Sequence, residues 1–297
     1  MSFNPTSLQG VITALITPFN EDGSIDFYAL KNLIEEQIEK GVNALLPMGT
    51  TGESPTLSIK EHLSIIETTI AQTAKRVPVI AGTGSNSTSE AIELTKEASN
   101  LGADFTLQVA PYYNKPNQNG FYAHFCKIAD EGGLPVILYN IPGRSGKNIE
   151  ATTTLKLASH NNIVGVKEAS GSLPQVMEII KKAPKDFLVF SGDDNLTLPM
   201  IACGANGVIS VASNIIPAQM KEFVTAALKG DFNLARELHY KLYSLFNGMF
   251  IDTNPIPVKT ALALMGKIKE RFRLPLTPMD NNLKEELKSI LTAAHLL

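Results

Sequence analysis

Two stretches, Pro135-Val136-Ile137-Leu138-Tyr139-Asn140 and Ile163-Val164-Gly165-Val166-Lys167-Glu168, give the clearest indication of the fold of this 297-residue chain. Both are short and apolar, and the segment between them is long enough for a crossover helix. Similar runs bring the set to eight: Val11–Thr17, Asn43–Pro47, Val77–Ala81, Asp104–Ala110, Phe187–Ser191 and Gly207–Ala212. Short strands that alternate with amphipathic segments predict βα units and a parallel sheet.

The spacing of the runs favours a closed barrel over an open sheet. They begin about 20 to 35 residues apart and occupy roughly the first 230 positions, which suits a (β/α)8 TIM barrel. Amphipathic stretches such as Phe27–Glu39, Ile59–Ala74 and Ser89–Leu101 lie between them, the last with Thr88 or Ser89 as N-cap. A doubly wound nucleotide-binding sheet is disfavoured because Gly82-Thr83-Gly84 lacks a third glycine.

The C-terminal part of the chain predicts more helices than a barrel needs. Helical patterns follow the eighth run: Pro217–Lys229, Asp231–Gly248, Pro255–Met265 and Asn281–Ala293. The first closes the barrel, and no linker, repeat or low-complexity tract separates the others from it. We therefore expect an α/β protein with a single domain over residues 1–297, in which residues 1–230 form the barrel and residues 231–297 a C-terminal helical appendage.

The charge and hydropathy patterns exclude several classes of partner. The chain has 26 basic and 29 acidic residues, a net charge of −3, and no runs of one sign that would suit nucleic acid or anionic lipid. No stretch reaches the roughly 20 apolar residues of a membrane span, and Met1 to Gly10 lack a secretory signal. We expect a cytoplasmic protein that binds neither nucleic acid nor membrane.

Lys167 is the first candidate for chemistry, because the other lysines lie in polar helices or loops. Period-two alternation places Ile163, Gly165 and Lys167 on one face, where the glycine leaves room beside an inward-pointing lysine. Burial disfavours the ammonium form, so the free amine becomes available to attack a carbonyl and form an imine. The alternatives are a lysine that extends to solvent from the strand end, or one paired with Glu168.

Three other groups follow predicted strands and therefore belong to the rim where TIM barrels place their active sites. Tyr139 ends the fifth run and can relay protons, although a strand tyrosine can also simply pack its ring. The turn Gly49-Thr50-Thr51-Gly52-Glu53-Ser54 offers amides and hydroxyls that suit a carboxylate. Arg144, in a predicted loop beside Tyr139, can bind a second carboxylate, unless it is merely solvated. Together they indicate an enzyme with an acidic carbonyl substrate.

Metal catalysis is not supported by the histidines. They carry no HxxE or HExxH spacing, the chain has no CxxC, and the histidines are scattered over segments of helical character: His62, His124, His160, His239 and His295. We expect neither a metal nor a cofactor.

The motifs resemble, as a set, those of the pyruvate-dependent class I aldolase family, which includes dihydrodipicolinate synthases and N-acetylneuraminate lyases. The likeness covers essentially the whole chain and is carried by four segments: Gly49-Thr50-Thr51-Gly52-Glu53, Tyr139-Asn140-Ile141-Pro142-Gly143-Arg144-Ser145-Gly146, Gly165-Val166-Lys167-Glu168-Ala169 and Asn254-Pro255-Ile256-Pro257-Val258-Lys259. Thr50-Thr51, Arg144 and Pro111-Tyr112-Tyr113-Asn114-Lys115-Pro116 make it most similar to the synthase branch, which condenses pyruvate with aspartate semialdehyde on the route to diaminopimelate and lysine.

The resemblance implies roles for individual residues. Lys167 would form the imine, and Tyr139, Thr50 and Tyr113 would relay protons, with Tyr113 contributed by a neighbouring subunit of a homotetramer built as a dimer of dimers. Thr51 would bind the pyruvate carboxylate and Arg144 the carboxylate of the semialdehyde. Gly192 and Ile209 would line the site through backbone carbonyls.

The resemblance also implies an effector site for lysine at a dimer interface. Matching residues are Ser54, Pro55, His62, Gly84, Asn86, Glu90 and Tyr112. The chain departs from the pattern at Ile59, where lysine-sensitive relatives tend to carry a histidine, and an apolar side chain cannot replace its hydrogen bonds. We expect any feedback by lysine to be weak.

Two rival functions remain open at this point. Another pyruvate-type aldolase or a 2-keto-3-deoxy-sugar dehydratase of the same family would keep Lys167 and Tyr139 but use a different second substrate. A barrel that binds a metabolite or a partner without catalysis would form no covalent adduct with pyruvate.

Overall fold

The computed structural model describes residues 4–297, and an eight-stranded parallel sheet forms its centre. The strands are β1 (Gly10–Ala14), β2 (Ala44–Leu46), β3 (Ile80–Gly82), β4 (Phe105–Val109), β5 (Val136–Asn140), β6 (Ile163–Glu168), β7 (Leu188–Ser191) and β8 (Gly207–Ser210). Each overlaps one of the eight predicted runs. The prediction of a parallel sheet is therefore confirmed.

The sheet closes on itself. Its strand order is β2-β1-β8-β7-β6-β5-β4-β3, and a parallel bridge between Leu45 and Val79 joins the two ends. The Leu45 amide donates to the Pro78 carbonyl at 3.1 Å and the Gly82 amide to the Pro47 carbonyl at 3.0 Å. Strands that lie side by side in sequence order around a closed ring form the predicted TIM barrel.

Helices surround the barrel. They are α1 (Phe27–Glu39), α2 (Ile59–Thr73), α3 (Thr88–Leu101), α4 (Gln118–Glu131), α5 (Pro142–Ser145), α6 (Ala151–Leu157), α7 (Leu173–Lys182), α8 (Thr197–Ala202), α9 (Pro217–Leu228), α10 (Phe232–Gly248), α11 (Ile256–Leu264) and α12 (Asn281–Ala293). The predicted N-cap of α3 was wrong. Ser87 caps this helix, because its backbone is extended and its side chain accepts from the Glu90 amide.

Alternate residues of the strands divide the core into two layers. One set points into the barrel and includes Ile12, Leu46, Ile137 and Phe190. The other set packs against the surrounding helices. This alternation leaves the last inward-facing residues of the strands at the carboxyl end of the barrel, where they can face a ligand.

The C-terminal helices share the core of the barrel. Leu238 of α10, Val258 of α11 and Leu287 of α12 belong to the same buried cluster as Val11 of β1 and Val208 of β8. Within residues 4–297, no helix has both the length and the apolar character that a membrane crossing would require.

Candidate active site

Lys167 and Tyr139 face each other at the carboxyl end of the barrel. They are partners in the register of β5 and β6, and the Lys167 Nζ atom lies 4.1 Å from the centroid of the Tyr139 ring. Both side chains are buried, with 5% of each residue exposed. A cation over an aromatic face gains about 0.5–2 kcal/mol, and this contact keeps the amine close to the phenol.

Glu168 does not pair with Lys167, which removes one alternative reading of the lysine. Its carboxylate accepts from Asn140 Nδ2 at 3.0 and 3.1 Å, from Gln175 Nε2 at 2.9 Å and from the Ser170 amide at 2.8 Å. These neutral donors satisfy the buried acid on its own side of β6. Because Lys167 is also buried, the second alternative, a lysine reaching to solvent, does not apply.

The strand alternation around Lys167 differs from the predicted pattern. The register between β5 and β6 shifts between Val136 and Ile137, whose partners are Ile163 and Gly165. The shift turns Ile163 into the layer between strands and helices, while Val164 packs towards the barrel interior. The prediction that Ile163 shares a face with Lys167 was therefore wrong, because the extra residue at a bulge interrupts the alternation of side chains between the two faces of a strand.

The space beside Lys167 comes from Gly192 and not from Gly165. A Cβ atom on Gly165 would lie 2.6 Å from the Leu188 carbonyl oxygen, so this glycine allows β7 to approach. A Cβ atom on Gly192 would lie 3.2 Å from Lys167 Cε. Gly192 thus borders the lysine stem, as its predicted role in lining the site requires.

Two acids that were not predicted as site residues, Asp193 and Asp194, follow Gly192. Burial raises the pKa of Asp193, while the nearby positive charge of Lys167 opposes the shift. Burial also raises the pKa of Asp194, against hydrogen bonds that its Oδ2 atom accepts from the Ala212 and Val211 amides. Their position directly after a strand was the available signal, since residues there belong to the rim.

The Gly49–Ser54 segment forms a tight turn after β2. Residues Thr50–Gly52 make one turn of 3-10 helix, and Glu53 follows in the left-handed region with a φ of 56°. Thr51 is buried, and its Oγ1 atom accepts a hydrogen bond of 3.0 Å from Asn254 Nδ2. Thr50 and Tyr139 border one small cavity of about 40 Å³. The turn therefore brings the hydroxyl groups of Thr50 and Thr51 to the rim, with Thr50 beside Tyr139, the residue that faces Lys167.

Glu53 connects this turn to the C-terminal helices. Its carboxylate pairs with Lys259 of α11, and neither side chain is exposed to solvent. Lys259 Nζ also lies 4.2 Å from the centroid of the Phe19 ring. Desolvation lowers the pKa of Lys259 to about 8, and the charge of Glu53 opposes this shift. In the sequence, Glu53 and Lys259 are recognisable only as parts of family motifs, and their contact is not predictable because they lie 206 residues apart.

Arg144 lies in the short helix α5 at the mouth of the site, where the prediction had a loop. Its Nη2 atom donates to the Asn254 carbonyl at 2.9 Å. Arg144 and Thr50 both border a larger cavity of about 440 Å³. The guanidinium therefore stands where it can meet an anionic group that enters from this side.

Most of the predicted effector residues border the same larger cavity. They are Ser54, Pro55, His62, Gly84, Glu90 and Tyr112. Asn86 is not in its lining and instead donates to the Tyr112 carbonyl at 3.3 Å. His62 interacts through Nε2 with the Gly82 carbonyl at 2.8 Å, and burial lowers its pKa. Ile59 also lines the cavity and presents an apolar side chain there.

The two remaining predicted site residues occupy very different environments. Ile209 is fully buried on β8 and points into the barrel, beside its register partner Ile12 of β1. Tyr113 is 91% exposed and has a φ of 67°, so its side chain projects away from the protein surface. Among the residues described, 4–297, no cluster of three or more histidine, cysteine, aspartate or glutamate side chains could hold a metal ion.

Comparison with known proteins gives the arrangement its context. A sequence model of the Dihydrodipicolinate synthetase family matches residues 7–294. The chain belongs to this family. It is 53% identical to the 4-hydroxy-tetrahydrodipicolinate synthase of Thermodesulfovibrio yellowstonii over 97% of this chain and 99% of that protein.

Solved structures of dihydrodipicolinate synthases are similarly close. One is the chloride-inhibited enzyme of Acinetobacter baumannii complexed with pyruvate, with a TM-score of 0.96 and 46% identity over 98% of this chain and 100% of that one. Another is the Cyanidioschyzon merolae enzyme with lysine bound, with a TM-score of 0.95 and 44% identity over 98% of this chain and 99% of that one. The similarity of this chain to dihydrodipicolinate synthases therefore covers the whole fold as well as the sequence.

Proposed function

We propose that this chain is a Schiff-base-forming lyase that condenses pyruvate with L-aspartate 4-semialdehyde to give 4-hydroxy-tetrahydrodipicolinate, in diaminopimelate and lysine biosynthesis. The observation that carries the proposal is the buried Lys167 amine, which faces Tyr139 and forms no ion pair with the neighbouring Glu168. Full-length similarity to synthases of this name supports the choice of substrates. We expect the protein to act in the cytoplasm.

The chemistry follows from an amine in a shielded site. The Lys167 nitrogen adds to the ketone carbon of pyruvate, and the carbonyl oxygen leaves as water after two proton transfers. Loss of a methyl proton converts the imine to an enamine, whose carbon then bonds to the aldehyde carbon of the second substrate. The amino group of the semialdehyde moiety then attacks the imine carbon, which closes the ring, and the bond from that carbon to the Lys167 nitrogen breaks to restore the free amine. No metal is needed at any of these steps.

The proton transfers require hydroxyl groups close to the amine. Tyr139 and Thr50 border one cavity, and we assign them to a proton relay. Tyr113 is the third member of the proposed relay, and its exposure in a single chain is consistent with a role in the site of a neighbouring subunit. We therefore propose a homotetramer made of two dimers. Analytical ultracentrifugation tests it, and a monomer at assay concentrations would contradict it.

The two carboxylates of the substrates need separate binding groups. Thr51 and the amides of its turn would hold the carboxylate of pyruvate, and Arg144 would hold that of the semialdehyde. The backbone carbonyls of Gly192 and Ile209 would complete the lining. Arg144 lies in α5, directly after the strand that carries Tyr139, and this position at the mouth supports its assignment to the substrate that enters second.

The decisive assay compares several aldehydes with pyruvate held constant. We expect turnover with aspartate semialdehyde, and replacing Arg144 with alanine should raise the KM for this substrate while imine formation with pyruvate continues. Arg236→Ala is the matched control, because Arg236 lies on helix α10. Intact aspartate semialdehyde turnover in Arg144→Ala, or a preference for a sugar-derived substrate, would favour another aldolase or a dehydratase.

We also propose that free lysine is a weak inhibitor of this enzyme. Six of the predicted effector residues border one cavity, and Glu90 and His62 lie in its wall. The apolar Ile59 in the same wall offers lysine no hydrogen bond. Turnover measured over a range of lysine concentrations tests the proposal, with Ile59→His expected to strengthen inhibition. Unchanged turnover at millimolar lysine would remove it.

A further inference from the structure

Asn254 contacts both groups that the proposed function assigns to carboxylate binding. Its Nδ2 atom donates to Thr51 Oγ1 at 3.0 Å, and its backbone carbonyl accepts from Arg144 Nη2 at 2.9 Å. These partners lie 203 and 110 residues away in sequence. Asn254 is itself buried, with 6% exposed, and lies two residues before the C-terminal helix α11 begins.

The contact with Thr51 determines which way that hydroxyl can act. A threonine hydroxyl has one proton and accepts through its oxygen lone pairs. Because Asn254 Nδ2 occupies the oxygen as a donor, the hydroxyl proton is directed elsewhere. No side chain or backbone group within residues 4–297 accepts it. A buried hydroxyl in this state is ready to donate to an anion that enters the site.

The orientation of the Asn254 amide has a cost that also calls for an explanation. Its Oδ1 atom is buried and finds no hydrogen-bond partner among the described residues. Buried polar atoms are rarely left without a partner, so each exception needs a structural or functional reason. The amide nevertheless directs its donor to Thr51 and leaves its own oxygen without a partner among the described residues.

We propose that Asn254 is a positioning residue whose side-chain amide holds the Thr51 hydroxyl as a donor to the carboxylate of the 2-oxo acid, while its backbone carbonyl holds Arg144 at the mouth. This inference rests on the proposed function. It means that one residue of the C-terminal helical segment sets both carboxylate subsites. The side chain acts on the first substrate, and the main chain acts on the second.

Because the side chain and the main chain of Asn254 serve different substrates, a side-chain substitution should change the KM for pyruvate and not the KM for aspartate semialdehyde. General damage to the fold would change both. In Asn254→Ala the donor to Thr51 is lost but the carbonyl that binds Arg144 remains. The KM for pyruvate should rise about tenfold, with a much smaller change in the KM for aspartate semialdehyde. In Asn254→Asp, a carboxylate oxygen replaces the amide donor and accepts a hydrogen bond from the Thr51 hydroxyl. That hydroxyl can then no longer donate to pyruvate, so the KM for pyruvate should rise further.

A double-mutant cycle shows whether Asn254 acts through Thr51. Thr51→Val removes the hydroxyl, and adding Asn254→Ala to it should then raise the pyruvate KM by less than about twofold, because the pathway is already broken. Asn162→Asp is the matched control. Asn162 donates its amide to the Ala129 carbonyl just before β6 begins, at the opposite end of the barrel. Its kinetic constants should equal those of the wild type.

The possible results separate this inference from the proposed function. If the wild-type protein forms no covalent adduct with pyruvate on borohydride reduction, the proposed function itself is refuted. If the wild type is active, an unchanged pyruvate KM in Asn254→Asp, or additive effects in the cycle, overturns the role of Asn254. An equal rise in the KM values for both substrates, together with a lowered Tm of the Asn254 variants, also overturns it.

A measurement on the wild type covers the case in which the variants fail to fold. In a crystal structure with pyruvate, Thr51 Oγ1 should lie within hydrogen-bond distance of both Asn254 Nδ2 and a pyruvate carboxylate oxygen. A carboxylate bound away from Thr51 would overturn the inference.

Discussion

Lys167 and Tyr139 show how two ordinary side chains acquire chemical properties from their positions. The register of β5 and β6 places them side by side, and the Gly192 backbone leaves room for the lysine stem. A phenol beside the amine can deliver and remove the protons that imine formation requires. The hydroxyl of Tyr139, and not its ring, should therefore matter for the rate.

Replacing Tyr139 with phenylalanine tests this distinction. The ring stays beneath Lys167 and keeps the cation–π contact, but the proton relay loses its central hydroxyl. We expect kcat to fall by about 10²- to 10³-fold, while slow borohydride trapping of pyruvate persists. Steady-state kinetics and mass measurement check both parts. Tyr122→Phe on helix α4 is the control, and equal rates for wild type and Tyr139→Phe would contradict the relay.

The contrast between two lysines shows what a sequence can reveal about a site. Lys167 was predictable because a lysine within an apolar strand is unusual. Lys259 is buried more completely, yet it lies in a helix, where lysines are common. Its burial depends on Glu53, 206 residues away. Local pattern therefore predicted the buried lysine at the end of the barrel but not the ion pair that supports the neighbouring turn.

At the scale of elements, β5 and β6 are joined by a polar network on the side opposite the lysine. Asn140 and Glu168 are register partners, and Asn140 Nδ2 also donates to Asn148 Oδ1 at 2.8 Å. Gln175 of helix α7 completes the bonds to the carboxylate. Because Tyr139 and Lys167 directly precede Asn140 and Glu168, this network holds the two strands in the register that the site needs.

Glu168→Gln should loosen this junction. The variant places an amide donor where three donors already converge, so at least one of them loses its acceptor. We expect a loss of about 1–3 kcal/mol in the free energy of unfolding, together with a lower kcat. Urea denaturation and kinetics measure the two effects. Glu178→Gln is the control, because Glu178 of α7 is partly exposed and, among the described residues, pairs only with Lys182. Wild-type stability in Glu168→Gln would argue against the network.

Helix α4 carries a histidine that should make the fold sensitive to acid. Desolvation lowers the pKa of His124 to about 4, from an ordinary value of 6.5. Between these values the unfolded chain binds more protons, so the stability is fully present above pH 6.5 and is lost as the pH falls towards 4. The effect amounts to roughly 3 kcal/mol, at about 1.4 kcal/mol per pKa unit.

The measurement compares wild type with His124→Gln, whose amide can replace the hydrogen bond of 2.9 Å between His124 Nδ1 and Thr88 Oγ1. Between pH 7 and pH 4 the wild type should lose more free energy of unfolding than the variant. His160→Gln serves as the control, since His160 is a more exposed histidine. Parallel pH profiles for wild type and His124→Gln would show that His124 is not responsible.

The strands were predictable as elements, but their relation to the lysine was less so. Apolar runs and their spacing predicted all eight strands, because burial on both faces imposes continuous apolar stretches. The shift between Val136 and Ile137 was not predictable. It depends on how two strands meet, and neither strand alone carries a signal for it.

On the scale of the whole molecule, the C-terminal helices take part in the site. Lys259 of α11 holds Glu53 of the threonine turn, and Asn254 contacts Thr51 and Arg144. The helices also share a continuous core with β1 and β8. We propose that residues 1–297 form one domain, in which the segment 231–297 is a structural part of the barrel.

Lys259→Met tests this coupling. It leaves Glu53 buried without its ion-pair partner, which costs about 3–5 kcal/mol, and it should lower the melting temperature in a single cooperative transition. Calorimetry measures this, and the double variant Glu53→Gln/Lys259→Met should recover part of the loss. Lys284→Met, at a more exposed pair, is the control. Two separate transitions would contradict the single domain.

The most direct test of the whole account is the site of covalent capture. The protein is incubated with pyruvate, reduced with borohydride, digested and mapped by mass spectrometry. We predict one reduced pyruvyl group per chain, attached to Lys167, and none in Lys167→Ala. An adduct on a different lysine, or normal turnover by the Lys167→Ala variant, would contradict the account.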